Sequence, residues 1–377
     1  MKVHVKQQQL THGVSMVSRA VSPRSTLPVL SNILVKTDNG RLRLSATNLE
    51  QGITCWIGAR VEGEGAITVP SRTFTDLVSA LPSDQVTLTL DNSTQTLNVR
   101  CGASESNIKG IDAEEFPPLP EPVLDEGIPL NITNFKEMVN QVAFAASQDE
   151  ARPVLTGVLL KIDGDKITLA ATDGFRISIR EDVIPDPVPQ PIEAIIPARA
   201  LSELSRILGG GDEPLIMTFP ADRGQVIFHV DSLELVSQLI EGSFPDFRAI
   251  IPQNFKTHTL LSTAGLLKAC KQAEIIAREG TNVAQLNIIP DSEESKPSTL
   301  EISARSEQTG TSEVKVDASI DGVPLLVAFN VRFLREVLEV VKSDNVWLET
   351  NAANTPGLLR PQGDDHFKHI IMPMHIG

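Results

Sequence analysis

Ala171-Thr172-Asp173-Gly174-Phe175-Arg176-Ile177 closes one β-patterned run, Lys166 to Ala170, and opens another, Arg176 to Arg180. An Asp-Gly pair between two such runs signals a hairpin, because glycine accepts the positive φ that a tight turn needs. Alone, the stretch is only a turn. It decides the fold because the layout recurs. Thr47-Asn48 stands 125 positions before Thr172-Asp173, at the end of paired strand patterns, Ile33 to Lys36 and Leu42 to Ala46, around Asp38-Asn39-Gly40.

Both corners sit inside the same plan. In the first copy Val3 to Val5 alternates as a strand, and Leu10, Val14, Val17 and Val21 fall at helical spacing on one apolar face. In the second, Phe135, Met138, Val139 and Val142 make that face, and Val158 to Leu160 pairs with Ile167 to Leu169 around Asp163-Gly164. A second helix follows each corner. Val69-Pro70-Ser71-Arg72 opens one, with Phe74, Leu77, Val78 and Leu81. Ile196-Pro197-Ala198-Arg199 opens the other, with Leu201, Leu204, Ile207 and Leu208. Phe116-Pro117-Pro118-Leu119-Pro120 and Phe244-Pro245-Asp246-Phe247 end the two copies, since proline cannot donate to a strand ladder.

A third, more diverged copy starts with the face Leu266, Leu267, Cys270 and Ala273. Strands at Ala284 to Ile289 and Leu300 to Ala304 are interrupted around Ser295 to Pro297, and Phe329-Asn330-Val331-Arg332 opens a helix over Phe333, Leu334, Val337, Leu338 and Val341. Each copy is about 125 residues, well beyond the roughly 20–50 of a solenoid repeat. The pattern predicts an α+β chain of three duplicated domains, each with two helices on antiparallel strands, at 1–124, 125–252 and 253–377.

Composition narrows the function. With 377 residues and 41% hydrophobic content the chain can bury several cores. Three scattered cysteines, Cys55, Cys101 and Cys270, form no CxxC pair, which points away from a disulfide framework or zinc site and toward a reducing cytoplasm. The N-terminus has no apolar signal core, and no apolar run approaches the roughly 20 residues of a membrane span. The net charge of −15 argues against a simple nucleic-acid binder. Its distribution argues otherwise. Residues 1–37 contain no Asp or Glu, and the six helical segments hold a small excess of Lys and Arg, so the acid lies elsewhere. A mildly basic surface on an acidic protein attracts a polyanion locally and repels it elsewhere.

No catalytic constellation is visible. Gly209-Gly210-Gly211-Asp212 follows a helix and lacks the Lys-Ser/Thr of a P-loop. GxSxG and HExxH are absent. His366 and His369 have no third ligand nearby in sequence, and Asp173, a conceivable general base, has no nucleophile beside it. No cofactor or metal is implied, and a binding or scaffold protein is the better expectation than an enzyme. Met372-Pro373-Met374 reads either as a last core strand or as one wall of a peptide groove, because methionine adapts to several partners.

Four stretches, in order over essentially the whole chain, carry a family resemblance: Arg24-Ser25-Thr26-Leu27-Pro28-Val29-Leu30, Ala171 to Arg176, Phe244-Pro245-Asp246-Phe247 and Met372-Pro373-Met374. With them the chain resembles the bacterial β sliding clamps, processivity subunits of the replicative DNA polymerase III holoenzyme. The resemblance implies three sliding-clamp domains per chain and a ring formed by a head-to-tail homodimer. Such a ring encircles double-stranded DNA without reading sequence, which a weakly basic lining allows. DNA-contacting positions would be Arg24, Arg72, Gln148, Arg152, Arg199 and Arg206, while Ser79 stands where a further basic residue is expected.

The same resemblance implies a groove for short linear motifs of the polymerase, the clamp loader and repair proteins. One side would hold Leu155, Thr172, Gly174, Phe175, Arg176 and Ile177, with Pro245 and Ile250. The other would hold Asn330, Phe333, Ile370, Met372, Pro373 and Met374, followed by the atypical end His375-Ile376-Gly377. The ring interface would use Ser106, Ile108, Ile275 and Ile276, with Ser106 in place of a bulky aromatic. Two other classes remain at this stage: a non-replicative peptide- or carbohydrate-binding scaffold on the same repeat, and a hydrolase using Asp173.

Overall fold

In a computed structural model, the structure describes residues 1–22, 27–211, 213–220, 224–291 and 298–375. Six α-helices are present among them: α1 (Gln7–Val17), α2 (Ser71–Ala80), α3 (Ile132–Val142), α4 (Ala198–Ile207), α5 (Thr263–Ala277) and α6 (Val331–Leu338). Each buries the face its spacing predicts. Leu10, Val14 and Val17 are buried on α1, Phe135, Met138, Val139 and Val142 on α3, and Leu334, Val337 and Leu338 on α6. Two helices stop several residues short of the last apolar position in their spacing. Val21 lies past the end of α1, where Ser18–Ala20 tightens into a 3-10 turn and Val21 is extended. Val341 lies past α6, which ends as Glu339 caps it. The interruption expected around Ser295 to Pro297 lies outside the described residues.

The chain forms two compact units, residues 1–133 with 203–239, and residues 134–202 with 240–377. The borders fall within α3 and α4, so they cut across the sequence repeat. Ladder connectivity explains why. In the first unit, one antiparallel sheet runs in the order Ile128–Leu130, Leu215–Thr218, Gln225–Val230, Leu233–Gln238, Gln51–Gly58, Arg41–Thr47, Asn32–Asp38, Ala66–Pro70. The Leu233–Gln238 strand of the second copy thus pairs with Gln51–Gly58 of the first, Leu233 opposite Cys55 and Ser237 opposite Gln51. A second sheet orders Arg60–Gly63, Lys2–Lys6, Gln85–Asp91, Thr96–Cys101 and Ser104–Lys109. Gln51–Gly58, Arg60–Gly63 and Ser104–Lys109 are among the strands without a distinct signal in the sequence; the last two are edge strands and largely exposed.

The second unit holds one twelve-stranded sheet. There Arg176–Val183 pairs with Phe367–Ile371 of the third copy, Arg176 opposite Ile371 and Ile177 opposite Ile370. The long strand Gly310–Gly322 makes the sheet continuous by changing partners. Residues 310–317 pair with Thr299–Ser306 and residues 318–322 with Thr257–Leu261. Beneath α5 and α6 a core gathers Leu286, Ile302, Phe329 and Phe367, all fully buried. Each such side chain contributes roughly 1.5–3 kcal/mol of burial. Cys55 and Cys270 are packing residues, their thiols pushed up to about 12 by burial.

The two corners are alike bond for bond. Thr172 Oγ1 donates to the Arg176 carbonyl at 2.6 Å and accepts from the Gly174 amide at 3.0 Å. Thr47 Oγ1 donates to the Gln51 carbonyl at 2.9 Å and accepts from the Leu49 amide at 3.0 Å. Asp173 Oδ1 accepts from the amides of Phe175 and Arg176. Asn48 Oδ1 does the same for Glu50 and Gln51. The third residue is left-handed in both, at φ 93° for Gly174 and 75° for Leu49. In the third copy the equivalent turn is Ser306 to Gly310, where Ser306 Oγ accepts from Gln308 and Thr309 instead.

Candidate functional site

The second-copy corner is braced from below. The Arg176 guanidinium is buried and reaches Asp173 Oδ2 at 3.1 Å, Glu336 Oε2 of α6 at 2.6 Å and the Phe144 carbonyl at 3.1 Å. It lies over the rings of Phe333, at 4.2 Å, and Phe144, at 5.2 Å. Burial works to raise the Glu336 carboxyl, but the Arg332 and Arg176 guanidinium groups outweigh it and hold it below the usual carboxylate range. His369 lies deeper, fully buried, with Nδ1 2.7 Å from Ser178 Oγ and its ring stacked on Phe144. Burial, and then the nearby Arg176 charge, hold it well below its ordinary value. A buried cation with several acceptors fixes geometry, because losing any partner strands a charge.

Above this brace Phe175 is 56% exposed. Its carbonyl accepts from the Met372 amide at 2.8 Å, and the Met374 amide donates to the Ala328 carbonyl at 2.8 Å. Met372, Pro373 and Met374 follow the last strand, which stops at Ile371, and are half-buried. They are thus a lip rather than a core strand. Ile177 and Ile370 sit opposite one another in the sheet, within an apolar cluster that includes Phe247. Leu155 is half-buried in the 3-10 turn Pro153–Thr156, and Pro245 and Ile250 are exposed. Asn330 caps α6, its Oδ1 accepting from the Arg332 amide at 3.0 Å. A cavity of about 630 Å3 is lined by Phe144, Gln148, Arg152, Phe175, Phe333 and Glu336, among others.

The expected positions therefore divide. Thr172, Gly174 and Arg176 build the corner, Thr172 and Arg176 being buried; Phe175 and the Met-Pro-Met lip offer surface. The Arg176 guanidinium is turned toward Asp173, Glu336 and the Phe144 carbonyl. Asp173 is consumed by two amides and a guanidinium, which explains it without catalysis. Phe144, Ser178, Glu336 and His369 brace the corner, and nothing in their local sequence marks them. His369 is buried whereas His366 is exposed, so the pair does not converge on a metal.

Among the candidate DNA positions Arg72, Gln148, Arg152, Arg199 and Arg206 all reach the surface, and Arg24 lies outside the described residues. Arg206 is held by Glu203 at 2.7 Å and Arg152 by Asp149 at 3.3 Å, whereas Arg72 is 3.9 Å from Asp76. The candidate interface positions differ too. Ile275 is 56% exposed, Ile276 and Ser106 reach the surface to differing degrees, and Ile108 is already buried against its own sheet.

Comparison with known proteins agrees in every part of the chain. Residues 1–120, 129–246 and 248–375 match the family models of the N-terminal, central and C-terminal domains of the DNA polymerase III beta subunit. The chain is 33% identical to the beta sliding clamp of Synechococcus elongatus over 383 residues, covering all of both chains. It is 31% identical to that of Staphylococcus aureus over 384 residues, covering 99% of each. Its structure is similar to the crystal structure of the DNA polymerase sliding clamp from Bacillus subtilis, with a TM-score of 0.92 and 28% identity over the full length of both. Repeat, corner, lip and whole-length similarity together establish that the chain belongs to the DNA polymerase III beta subunit family, the beta sliding clamps.

Proposed function

We propose that this chain is a DNA sliding clamp, a non-catalytic processivity factor that holds a replicative polymerase on duplex DNA. Three clamp domains, 1–124, 125–252 and 253–377, build each protomer. Two protomers close head to tail into a ring through Ile275 and Ile276 of one and the Ser106–Ile108 edge of its partner. Arg72, Gln148, Arg152, Arg199 and Arg206, with Arg24, contact the phosphates of the encircled DNA and carry no sequence preference. The ring works in the cytoplasm.

The observation that carries the partner-binding part is the braced corner beneath an exposed Phe175, with the Met372–Met374 lip bonded to it. An apolar slot with adaptable methionines on one wall and a fixed corner on the other accepts short peptides from several proteins. The polymerase subunit, the clamp loader and repair proteins dock there by linear motifs. No observation favours the scaffold reading that lacks DNA.

Retention on DNA tests the topological claim. Protein loaded by a clamp loader and ATP on a nicked circle should stay through gel filtration and be lost once the circle is cut. Equal retention on linear DNA would refute encirclement. Phe175→Ala, and deletion of residues 372–377, should each abolish polymerase-peptide binding and leave the dimer intact. Loss of the dimer in either variant would contradict a peptide-only role.

A further inference from the structure

The second-copy groove has a twin in the first copy. Leu30 lies in a 3-10 turn, Pro28–Ser31, as Leu155 does in Pro153–Thr156. The corner Thr47 to Gln51 repeats Thr172 to Arg176. The Gln238 amide donates to the Glu50 carbonyl at 2.8 Å, as the Met372 amide donates to Phe175. The side chains differ, Glu50 and Gln51 standing where the second copy has Phe175 and Arg176, and one difference bears on the space beside the corner. Where the second copy has Ile177 the first has Gly52, and a Cβ there would meet Leu119 Cδ2 at 2.7 Å. Leu119, from the Pro-rich segment, fills the space an isoleucine at 52 would need.

Beside Leu119 opens a cavity of about 390 Å3 whose apolar lining includes Leu34 and Phe116. Lys36 and Arg43 reach it from neighbouring strands, where they sit opposite one another. Arg43 lies 5.3 Å from the Trp56 ring centroid, and its Nε is buried with no hydrogen-bond partner. Neither cation is within ion-pair distance of an acid among the described residues. The acids of the lining, Glu114 and Glu121, come from the Pro-rich side and are exposed. A buried guanidinium donor left unmatched is costly, and a carboxylate is its best complement.

We propose that the first copy carries a second docking slot, for a short peptide that sets an apolar side chain against Leu34, Phe116 and Leu119 and a carboxylate on Arg43 and Lys36. The slot lies beside the first copy's twin of the corner, next to Leu119, and it is inferred on the reading of the second-copy groove as a peptide dock.

Methyl NMR of the full-length protein, labelled at Leu and Met, separates the two sites. The probe is the peptide acetyl-Asp-Leu-Leu-amide, with acetyl-Asn-Leu-Leu-amide as its charge control. Leu34 and Leu119 should shift saturably with the Asp peptide, in the parent and in Phe175→Ala alike. Affinity there should fall roughly tenfold with the Asn peptide, with Arg43→Gln and with Lys36→Gln, as expected for a lost charge-assisted hydrogen bond. Absence of saturable shifts at Leu34 and Leu119, or equal affinity for both peptides, would overturn the slot. Silence at Met372 and Met374 toward a polymerase motif peptide, while Leu119 responds to the Asp peptide, would instead overturn the second-copy dock and leave the slot standing.

Discussion

Glu336 grips Arg176 across 2.6 Å, joining α6 of the third sequence copy to the corner of the second. The same carboxylate accepts from Arg332 Nε at 2.8 Å, so one acid orders both the helix surface and the corner. Glu336→Ala takes one of two carboxylate partners from a guanidinium that is 6% exposed, leaving Asp173 and the Phe144 carbonyl. Losing one charged partner of a buried group costs about 1.5–3 kcal/mol. Urea unfolding should register a loss of that order, and partner-peptide affinity should fall with the corner. Glu336→Gln, which keeps an acceptor oxygen, should recover part of both. Full peptide affinity in Glu336→Ala would contradict the bracing role.

Acid should weaken the protein in two stages. His369 is held well below 6.5 by burial and by the Arg176 charge, so it stays neutral in the fold while an unfolded chain would take up the proton. Its contribution is therefore complete above pH about 6.5 and falls as pH drops below it, at about 1.4 kcal/mol per pH unit. Glu336, Glu349 and Asp364, all held low by guanidinium partners that outweigh burial, add losses as pH falls through the acid range. Between pH about 7.5 and about 5.5, His369→Gln should lose about 1 kcal/mol less stability than the parent. An identical pH slope would remove His369 from the account.

The left-handed residues of the twin corners give opposite expectations. Gly174→Ala places a Cβ at φ 93°, which costs about 1–2 kcal/mol. Leu49 already bears that strain at φ 75° and is half exposed. Leu49→Gly should be nearly neutral, since relief of the strain offsets about 0.5–1 kcal/mol of added chain freedom. Thermal unfolding of the two variants side by side tests the asymmetry.

The ring-interface positions should behave differently from one another. Ile275→Asp alters an exposed side chain, so it should split the dimer at nanomolar concentration while leaving protomer unfolding unchanged. Ile108→Ala removes a side chain that is 5% exposed and should cost about 2–5 kcal/mol of fold stability. Ser106, small where the family resemblance implies an aromatic, should leave the parent dimer weaker than its relatives' in sedimentation.

Much of this architecture is legible in the residues alone. Period-3.6 and period-2 spacing locates all six helices and strands such as Ile33 to Lys36, Leu42 to Ala46 and Lys166 to Ala170, because buried faces such as Phe135 to Val142 must repeat with the geometry of the element. What escapes has no such spacing. Arg60–Gly63 and Ser104–Lys109 are edge strands with little to bury, and Gln51–Gly58 is covered on both faces, so its run does not alternate. Phe175 and the Met372–Met374 lip stand out by residue type. Glu336, His369 and Phe144 do not, since their meaning arises only when strands far apart in the chain lie side by side, as those of Ser178 and His369 do.

The ladder between Leu233–Gln238 and Gln51–Gly58 bears on how this chain can be taken apart. A fragment ending where the first sequence copy ends would carry Gln51–Gly58 as a bare edge, its amides and carbonyls from Gln51 to Cys55 stripped of their partners. An exposed, apolar strand margin recruits other strands. Expression of a lone copy should thus yield aggregates, whereas a longer fragment that includes the strands from 215 to 238 keeps that margin closed.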